Sequence, residues 1–169
     1  MTHQKFDIDT TIAALLYLTH KASGKIDLYA LVKLMYFADK EHFHNWAHTI
    51  TGDTFARLPH GSTGSNTLDI LSAARGDRKR TKEDIKFAQR FFKIEKKDAV
   101  IALENPNMDV LSKAEVKTLE AIYQQHGDKS FKELKALAHD KAYKKSLDHF
   151  MTYKDLAEDN EELLDHLGL

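Results

Sequence analysis

Histidine and carboxylate side chains crowd one short stretch of the chain, at Asp39, Glu41, His42, His44 and His48. Imidazole and carboxylate groups are common zinc ligands, so the cluster suggests a metal site. On a continuous helix, however, the side chains of His42 and His44 project about 160° apart and cannot hold the same ion. His44 and His48 supply only two ligands, and the HExxH pattern of zinc enzymes is absent. We therefore expect no metal and no other cofactor.

Two of these side chains, Asp39 and His42, fall on the apolar face of the helix that the surrounding pattern predicts. A carboxylate on such a face needs a partner, because an unpaired buried charge is costly. Its candidate partners are the Arg57 guanidinium and the backbone amides of residues 51–53. We expect Asp39 to act with Arg57 as a structural clamp, which fixes the following segment to the helix, rather than in catalysis.

The catalytic alternative is a small metal-dependent or hydrolytic enzyme that uses Asp39, His42 and His60. These residues lack a recognisable nucleophile, since no serine lies in a GxSxG elbow. The HGSTGSN stretch at 60–66 lacks the lysine and the glycine spacing of phosphate-binding loops. Its polar side chains either bind an anion at the start of the next helix or only cap that helix, and the sequence leaves both alternatives open. These side chains are His60, Ser62, Thr63 and Ser65.

Charge is distributed unevenly along the chain. The net charge of -1 argues against binding nucleic acid through bulk charge alone. Residues 75–97, however, have more basic than acidic side chains, whereas residues 155–169 contain acidic side chains and no lysine or arginine. Basic and acidic patches of this kind guide the approach of oppositely charged partners. The basic stretch leaves a nucleic-acid-binding regulator as an alternative, although the second helix of a potential helix-turn-helix at 112–139 has no Arg, Asn or Gln to read bases.

Composition limits the setting in which the protein works. The chain of 169 residues contains no cysteine, which excludes disulfides, thiolate nucleophiles and cysteine-built metal sites. No apolar run reaches the length of about 20 residues that spans a bilayer, and the first residues lack a signal-peptide core. We expect a single domain over residues 1–169, a cytoplasmic location and no membrane partner.

The most apolar predicted helix covers residues 27–46. Asp27 is its expected N-cap, and Ile26 and Leu31 have the spacing of a hydrophobic staple. A helical periodicity of about 100° per residue places Lys33, Lys40 and His44 opposite one broad apolar face. We therefore expect this helix at the centre of the core. The apolar face comprises Leu28, Leu31, Val32, Met35, Ala38, Phe43 and Trp46.

The remaining patterns predict a mainly α, or α+β, fold with about six or seven helices around the central helix. Residues 91–103 combine β-branched and aromatic residues around a polar turn, which predicts one short β-hairpin. Two S-x-x-E capping boxes mark strong helix starts. The other expected helices are one capped by Asp9 or Thr10 and ending at Gly24, one at 63–74, one starting at Thr81, those starting at Ser112 and Ser130, and a last one from Thr152.

Three segments, in order, resemble the SocA-like, or Panacea, antitoxin domain. The resemblance covers residues 28–143. The chain departs from the family pattern at residues 58–63, which replace an aromatic-Gly-Pro-Val sequence, and at Tyr143, where tryptophan is common. The three segments are KLMYFADKEH, ITGDTFARLPHGSTGSNTLDIL and LSKAEVKTLEAIYQQHGDKSFKELKALAHDKAY.

The resemblance implies a prokaryotic or phage-associated antitoxin that neutralises the toxin of an adjacent gene, by direct binding or by delivery to a protease. We expect no enzymatic activity, and structural roles for Gly52, Gly61 and His139. A fixed turn that carries aromatic and arginine side chains suits a binding hot spot, and a basic patch speeds association. The expected partner contacts are Phe55, Arg57, His60, Arg78, Lys79 and Arg80.

Overall fold

The central helix of the protein is α2 (Leu28–Trp46). The structure is a computed structural model, and it describes residues 4–169. Leu31, Met35 and Ala38 are each at most 1% exposed, in the main hydrophobic cluster. Asp27 caps the helix, since its Oδ2 accepts the Ala30 N–H at 2.9 Å. The predicted central helix and its cap are therefore confirmed.

Helix α2 is covered on more sides than its apolar pattern predicts. Tyr36 and Phe43 belong to a second hydrophobic cluster, and the expected solvent-facing Lys33 is only 2% exposed. At the other extreme, Trp46 is 57% exposed. The predicted exposure of Lys33 and burial of Trp46 are thus wrong, because neighbouring elements cover Lys33, whereas Trp46 lies at the surface at the end of the helix.

Helix α1 (Ile8–Lys21) packs against α2 and supplies much of the main cluster. Its N-cap is Asp7, whose Oδ1 accepts the Thr10 N–H at 3.0 Å. The prediction of Asp9 or Thr10 as the cap is wrong because the helix begins earlier, which leaves Asp9 in the first turn, where its charge favours the helix dipole.

A three-stranded antiparallel sheet packs beside these helices. Strands β4 (Phe92–Glu95) and β5 (Ala99–Ala102) form the predicted hairpin, with Ile94 opposite Val100. Strand β1 (Lys25–Asp27) adds to β5, so that the strand order is β1-β5-β4. The hairpin is confirmed. Strand β1 was not predictable, because three residues are too few to show an alternating pattern.

A second hairpin occupies the stretch that the sequence predicts as an irregular corner. Strands β2 (Phe55–Leu58) and β3 (Gly61–Gly64) pair antiparallel across the turn at residues 59–60. The chain returns to this hairpin much later, since Ala56 forms a β-bridge with Phe150. Sequence alone missed the hairpin because Gly-Ser-Thr-Gly has the composition of a turn rather than of a strand.

The remaining helices follow the predicted starts closely. Both predicted capping boxes, at Ser112 and at Ser130, are present. The predicted last helix is instead two helices, because Glu158 adopts a positive φ of 55° and interrupts it. The mainly α fold is confirmed, with nine α-helices within residues 4–169. These further helices are α3 (Ser65–Arg75), α4 (Lys82–Phe91), α5 (Lys113–His126), α6 (Phe131–Leu137), α7 (Lys141–Lys145), α8 (Tyr153–Ala157) and α9 (Glu161–Leu167). In the described part of the chain, none of the helices combines the length and apolarity needed to cross a membrane.

Candidate functional site

The segment that follows α2 is tied to the helix by Asp39. This carboxylate is 1% exposed, and its two oxygens accept the Thr51 N–H at 2.9 Å and the Thr51 hydroxyl at 2.7 Å. Burial raises the pKa of Asp39 to about 7, and the Thr51 hydrogen bonds oppose that rise only in part. Asp39 thus contacts the 51–53 turn, one of its two predicted partners. The other prediction, contact with Arg57, is wrong because that side chain turns to Tyr143.

A second buried carboxylate, Asp53, organises the start of α3. Its Oδ1 accepts the Asn66 N–H at 2.8 Å, and its Oδ2 accepts the Thr67 N–H at 2.9 Å and the Thr67 hydroxyl at 2.7 Å. The N-cap residue itself is Gly64, which has no side chain to do this. The helix start therefore already holds a carboxylate, which contradicts the anion alternative for His60, Ser62, Thr63 and Ser65.

Sequence reasoning missed this role of Asp53, because the cap lies more than ten residues before the helix that it caps. The close approach leaves a trace at Gly64, where a Cβ atom would lie 2.6 Å from Asp53 Oδ2. A glycine at a helix start, preceded by an unassigned aspartate in a turn, is thus the signal that could have indicated a distant cap.

A third polar group joins α2 to the hairpin and to α7. The buried Lys33 ammonium donates to the Ser62 carbonyl at 3.0 Å and to Thr63 Oγ1 at 2.8 Å, and burial lowers its pKa to about 8. Tyr36 donates its hydroxyl to Asp140 Oδ2 at 2.8 Å, and burial followed by the charge of Asp140 raises the pKa of Tyr36 well above its usual range. These contacts hold β3 and α7 against the central helix.

The predicted structural residues around the hairpin are close to other backbone. Gly52 has a φ of +70°, and a Cβ there would meet the Lys5 carbonyl. Gly61 has a φ of +99°, and a Cβ there would lie 2.7 Å from the Ala138 Cβ. The His139 ring lies between the Lys135 and Pro59 carbonyl oxygens, at 2.8 and 3.1 Å. These positions tolerate little change of shape.

The histidines of α2 are held by backbone carbonyls rather than pointed at a common centre. His42 Nδ1 donates to the His48 carbonyl at 2.8 Å, and His44 Nε2 donates to the Leu156 carbonyl at 2.9 Å. Burial lowers the pKa of both imidazoles, so they are neutral near pH 7. Within residues 4–169, no three His, Asp or Glu side chains are grouped closely enough to hold a metal ion.

The three residues of the catalytic alternative lie in different surroundings. Asp39 and His42 are each 1% exposed and hydrogen-bonded to the segment after α2. His60 lies exposed on the turn of the second hairpin, with its ring centroid 6.1 Å from that of Phe131. His60 is therefore available to a ligand from solvent, whereas the two buried side chains are not.

Arg57 is an exposed side chain of this hairpin that contacts Tyr143 in two ways. Its Nε donates to the Tyr143 carbonyl at 3.0 Å, and its guanidinium lies 4.4 Å from the centroid of the Tyr143 ring. The His139 ring packs against the same tyrosine, at 4.5 Å between centroids. A guanidinium held over an aromatic ring is already oriented before any partner arrives.

Apolar side chains extend this exposed area. Leu147 is 97% exposed and Phe150 is 47% exposed. The backbone there is fixed to β2, since the Arg57 N–H donates to the His149 carbonyl at 2.6 Å and the Met151 N–H donates to the Phe55 carbonyl at 2.9 Å. We define the hairpin surface as Arg57, Pro59, His60, Tyr143, Leu147 and Phe150.

Phe55 does not belong to this surface. It is 3% exposed, and its ring packs edge-on against Tyr36 at 5.6 Å between centroids. Its predicted role as a partner contact is wrong, because the ring is buried in the second hydrophobic cluster. Leu147 and Phe150, which the sequence analysis missed, lie too far along the chain for their proximity to Arg57 to be predicted.

The basic stretch 75–97 is partly neutralised within the fold. Arg75 pairs with Asp77 and Asp98, at 2.9 and 3.1 Å, and hydrogen bonds from Arg75 lower the pKa of Asp77. Arg80, a predicted partner contact, pairs with Asp69 at 3.0 Å. Arg78 and Lys79 are exposed and form no ion pair with any described residue, so their charge is available to a partner. The same holds for the other exposed lysines of the stretch, Lys82, Lys86, Lys93, Lys96 and Lys97.

The comparison with protein families agrees with this arrangement. A family model described as Antitoxin SocA-like, Panacea domain, matches residues 31–145, more than half of the chain. The chain belongs to this family. The matched Panacea segment contains most of α2, both buried carboxylates and the second hairpin, and it ends before α8 and α9. Comparisons with curated proteins and with solved structures found no match.

Proposed function

We propose that this Panacea protein is the antitoxin of a toxin–antitoxin pair and that it neutralises its cognate toxin by binding it directly. The observation that carries the proposal is the family match over residues 31–145. The toxin is the product of an adjacent gene. The protein acts in the cytoplasm, through a protein interface rather than through catalysis or nucleic-acid binding.

The hairpin surface is the proposed toxin-binding site. Arginine and aromatic side chains on a fixed turn are typical of interface hot spots, and Pro59 lowers the entropy lost when the turn is ordered. Arg57 is oriented by Tyr143, and the exposed Leu147 and Phe150 supply apolar area that a partner can cover. His60 adds a polar contact at the tip.

The unpaired charges of Arg78 and Lys79 serve the approach of the toxin. Exposed charges at the rim of an interface raise the association rate more than they slow dissociation. Arg78 and Lys79 therefore raise the association rate, and the hairpin surface supplies most of the affinity.

Co-expression with the neighbouring gene tests the function. The toxin gene is induced in a host that carries the wild-type protein, the Arg57→Glu/His60→Glu variant or the Lys117→Glu/Gln124→Glu variant. The last variant changes two exposed residues of α5 with the same change of net charge and is the matched control. Growth and co-purification are scored, and circular dichroism establishes that each variant is folded.

We expect wild type and control to rescue growth and to co-purify with the toxin, and the hairpin variant to do neither. Failure of the wild type contradicts the antitoxin function for that pair. Equal rescue by all three folded proteins contradicts the interface alone. Rescue by wild type that requires a host protease, with loss of the toxin from the cell, favours delivery to a protease over direct inhibition.

A further inference from the structure

The protein has one tryptophan, and that residue lies on the surface. Trp46 ends the central helix and is 57% exposed, although large aromatic side chains contribute most when they are buried. The helix ends there, and its C-cap, Ala47, has a left-handed φ of 62°. We propose that Trp46 forms part of a second binding site, which takes an arginine or lysine side chain from a basic segment of a protein partner.

The ring borders a groove between the end of α2 and helix α9. The groove has a volume of about 490 Å³. Its lining includes His44, Trp46, Asn160, Glu162 and Leu163. Leu163 is 5% exposed and anchors α9 in the second hydrophobic cluster. The groove therefore has one apolar side, the indole, and one carboxylate, Glu162.

The wall of the groove next to the indole is fixed and uncharged. His44 Nε2 donates to the Leu156 carbonyl at 2.9 Å, and its Nδ1 accepts from the Asn160 amide at 3.1 Å. Both ring nitrogens are thus satisfied by a neutral imidazole, in agreement with the lowering of the His44 pKa by burial. His42, whose ring centroid is 6.3 Å from that of Trp46, is also neutral near pH 7 because burial lowers its pKa. Neither ring repels a cation.

The charges around the groove select the occupant. Glu161, Glu162 and Asp165 are exposed on α9 and form no ion pair with a described residue, and residues 155–169 contain no lysine or arginine. Two neighbouring lysines are already engaged, since Lys40 pairs with Glu158 and Lys141 pairs with Asp159. Lys154 forms no ion pair with a described residue, but it lines a different cavity. The groove is therefore negative, and the indole that borders it is more than half exposed.

A negative groove beside an indole is complementary to a cationic side chain. A guanidinium or ammonium group is attracted by the face of an indole more strongly than by other aromatic rings, and a neighbouring carboxylate accepts its hydrogen bonds. An acidic segment would be repelled, and a purely apolar segment would leave Glu162 unpaired. The groove is therefore complementary to a basic segment.

This site goes beyond the proposed function, because it does not require the partner to be the toxin. It also combines two parts of the chain, since α2 lies in the matched Panacea segment and α9 lies outside it. The groove and the hairpin surface are formed by different elements, so each can be tested while the other is intact.

Fluorescence of the single tryptophan reports directly on the groove. The purified full chain is titrated with a short basic peptide at pH 8. The probe is the peptide acetyl-Gly-Arg-Gly-Arg-Gly-amide, which has no aromatic residue. Matched peptides carry glutamine or glutamate in place of arginine. We expect a saturable change of Trp46 emission with the arginine peptide only.

Two variants locate the site. Glu162→Lys is expected to weaken binding of the arginine peptide at least fivefold, whereas Glu83→Lys, on exposed α4, leaves it within twofold. Trp46→Ala is expected to abolish binding measured by calorimetry, with an unchanged circular dichroism spectrum. An equal response to the glutamine peptide, no saturable response, or unchanged affinity in Glu162→Lys overturns the proposal. None of these measurements involves the toxin, so they fail or succeed independently of the antitoxin function.

Discussion

Two regions that are adjacent in the chain differ in the burial of their polar side chains. In the 51–54 turn and its surroundings, Asp39 and Asp53 are buried, and each accepts hydrogen bonds from both backbone and hydroxyl donors. A few residues later, Arg57 and His60 are exposed on the hairpin surface. We call the first region, centred on Asp39 and Asp53, the carboxylate clamp.

The difference separates stability from recognition. Removal of a buried carboxylate is destabilising, because its hydrogen-bond donors then stay buried without acceptors. Replacement of an exposed arginine changes the free energy of unfolding little. The same side chain can contribute much to the binding free energy when a partner excludes water around it. We therefore expect substitutions in the carboxylate clamp to change folding first, and substitutions on the hairpin surface to change binding first.

The largest effect is expected for Asp53→Ala. This change leaves the buried Thr67 N–H and hydroxyl and the Asn66 N–H without their acceptor, and we expect a loss of about 3 kcal/mol in the free energy of unfolding. Asp7→Ala is the matched control, since Asp7 caps α1 from an exposed position through one hydrogen bond, and we expect it to cost about 1 kcal/mol. Urea unfolding measures both. Equal losses would contradict the special role of the carboxylate clamp.

The next effect is a pH dependence that belongs to Asp39. Its folded-state pKa is raised to about 7, so between about pH 4 and pH 7 the folded state binds a proton that the unfolded state releases. The stabilisation of the folded state by this proton is therefore fully present below about pH 4 and is lost as the pH rises through 7. Relative to Asp39→Asn, we expect the free energy of unfolding of the wild type to fall progressively between pH 4 and pH 7.5.

That difference is measured by urea unfolding of both proteins across the pH range. The Asp39→Asn substitution removes only this titration, so the other ionisable groups cancel in the comparison. Parallel stability curves for the two proteins would show that the pKa of Asp39 is the same in the folded and unfolded states, and would contradict the assignment of burial as the dominant cause.

The hairpin surface should show the reverse behaviour. We expect Arg57→Glu/His60→Glu to lower the free energy of unfolding by no more than about 1 kcal/mol, because both side chains are exposed. The same variant should bind the toxin at least tenfold more weakly, a loss of about 1.4 kcal/mol or more. Calorimetric titration with the purified toxin measures the affinity. A variant that unfolds readily but binds normally when folded would remove the distinction between the two regions.

The smallest effect is kinetic. Reversing the unpaired charges with Arg78→Glu/Lys79→Glu should slow association with the toxin by roughly threefold at low salt and leave dissociation nearly unchanged. The difference should shrink as ionic strength rises, because salt screens exposed charges. Surface plasmon resonance at two salt concentrations measures both rates. A change confined to dissociation would place these residues inside the interface.

Much of the fold was predictable where local rules act alone. The central helix follows from its apolar periodicity and its Asp27 cap, and α5 and α6 follow from the capping boxes at Ser112 and Ser130. In each case the deciding contacts lie within four residues of one another. The Panacea motifs likewise led to the family that the comparison shows.

Features that depend on distant contacts were not predictable. Lys33 is buried because β3 supplies its acceptors, and Asp53 caps a helix that begins many residues later. Trp46 has the spacing of a core residue, but its side chain is more than half exposed at the end of α2. Phe150 reaches the hairpin through a bridge to Ala56. Periodicity fixes which side of an element a residue occupies, whereas the tertiary fold decides what covers that side.

Amide hydrogen exchange of the protein, alone and with its toxin, tests the central claim most directly. The claim is that the partner contacts the hairpin surface and that the carboxylate clamp serves the fold. We predict that the toxin slows exchange at residues 57–60 and 147–150, and that residues 51–54 are protected equally in both states. Protection confined to other elements, with unchanged exchange at 57–60 and 147–150, would contradict the account.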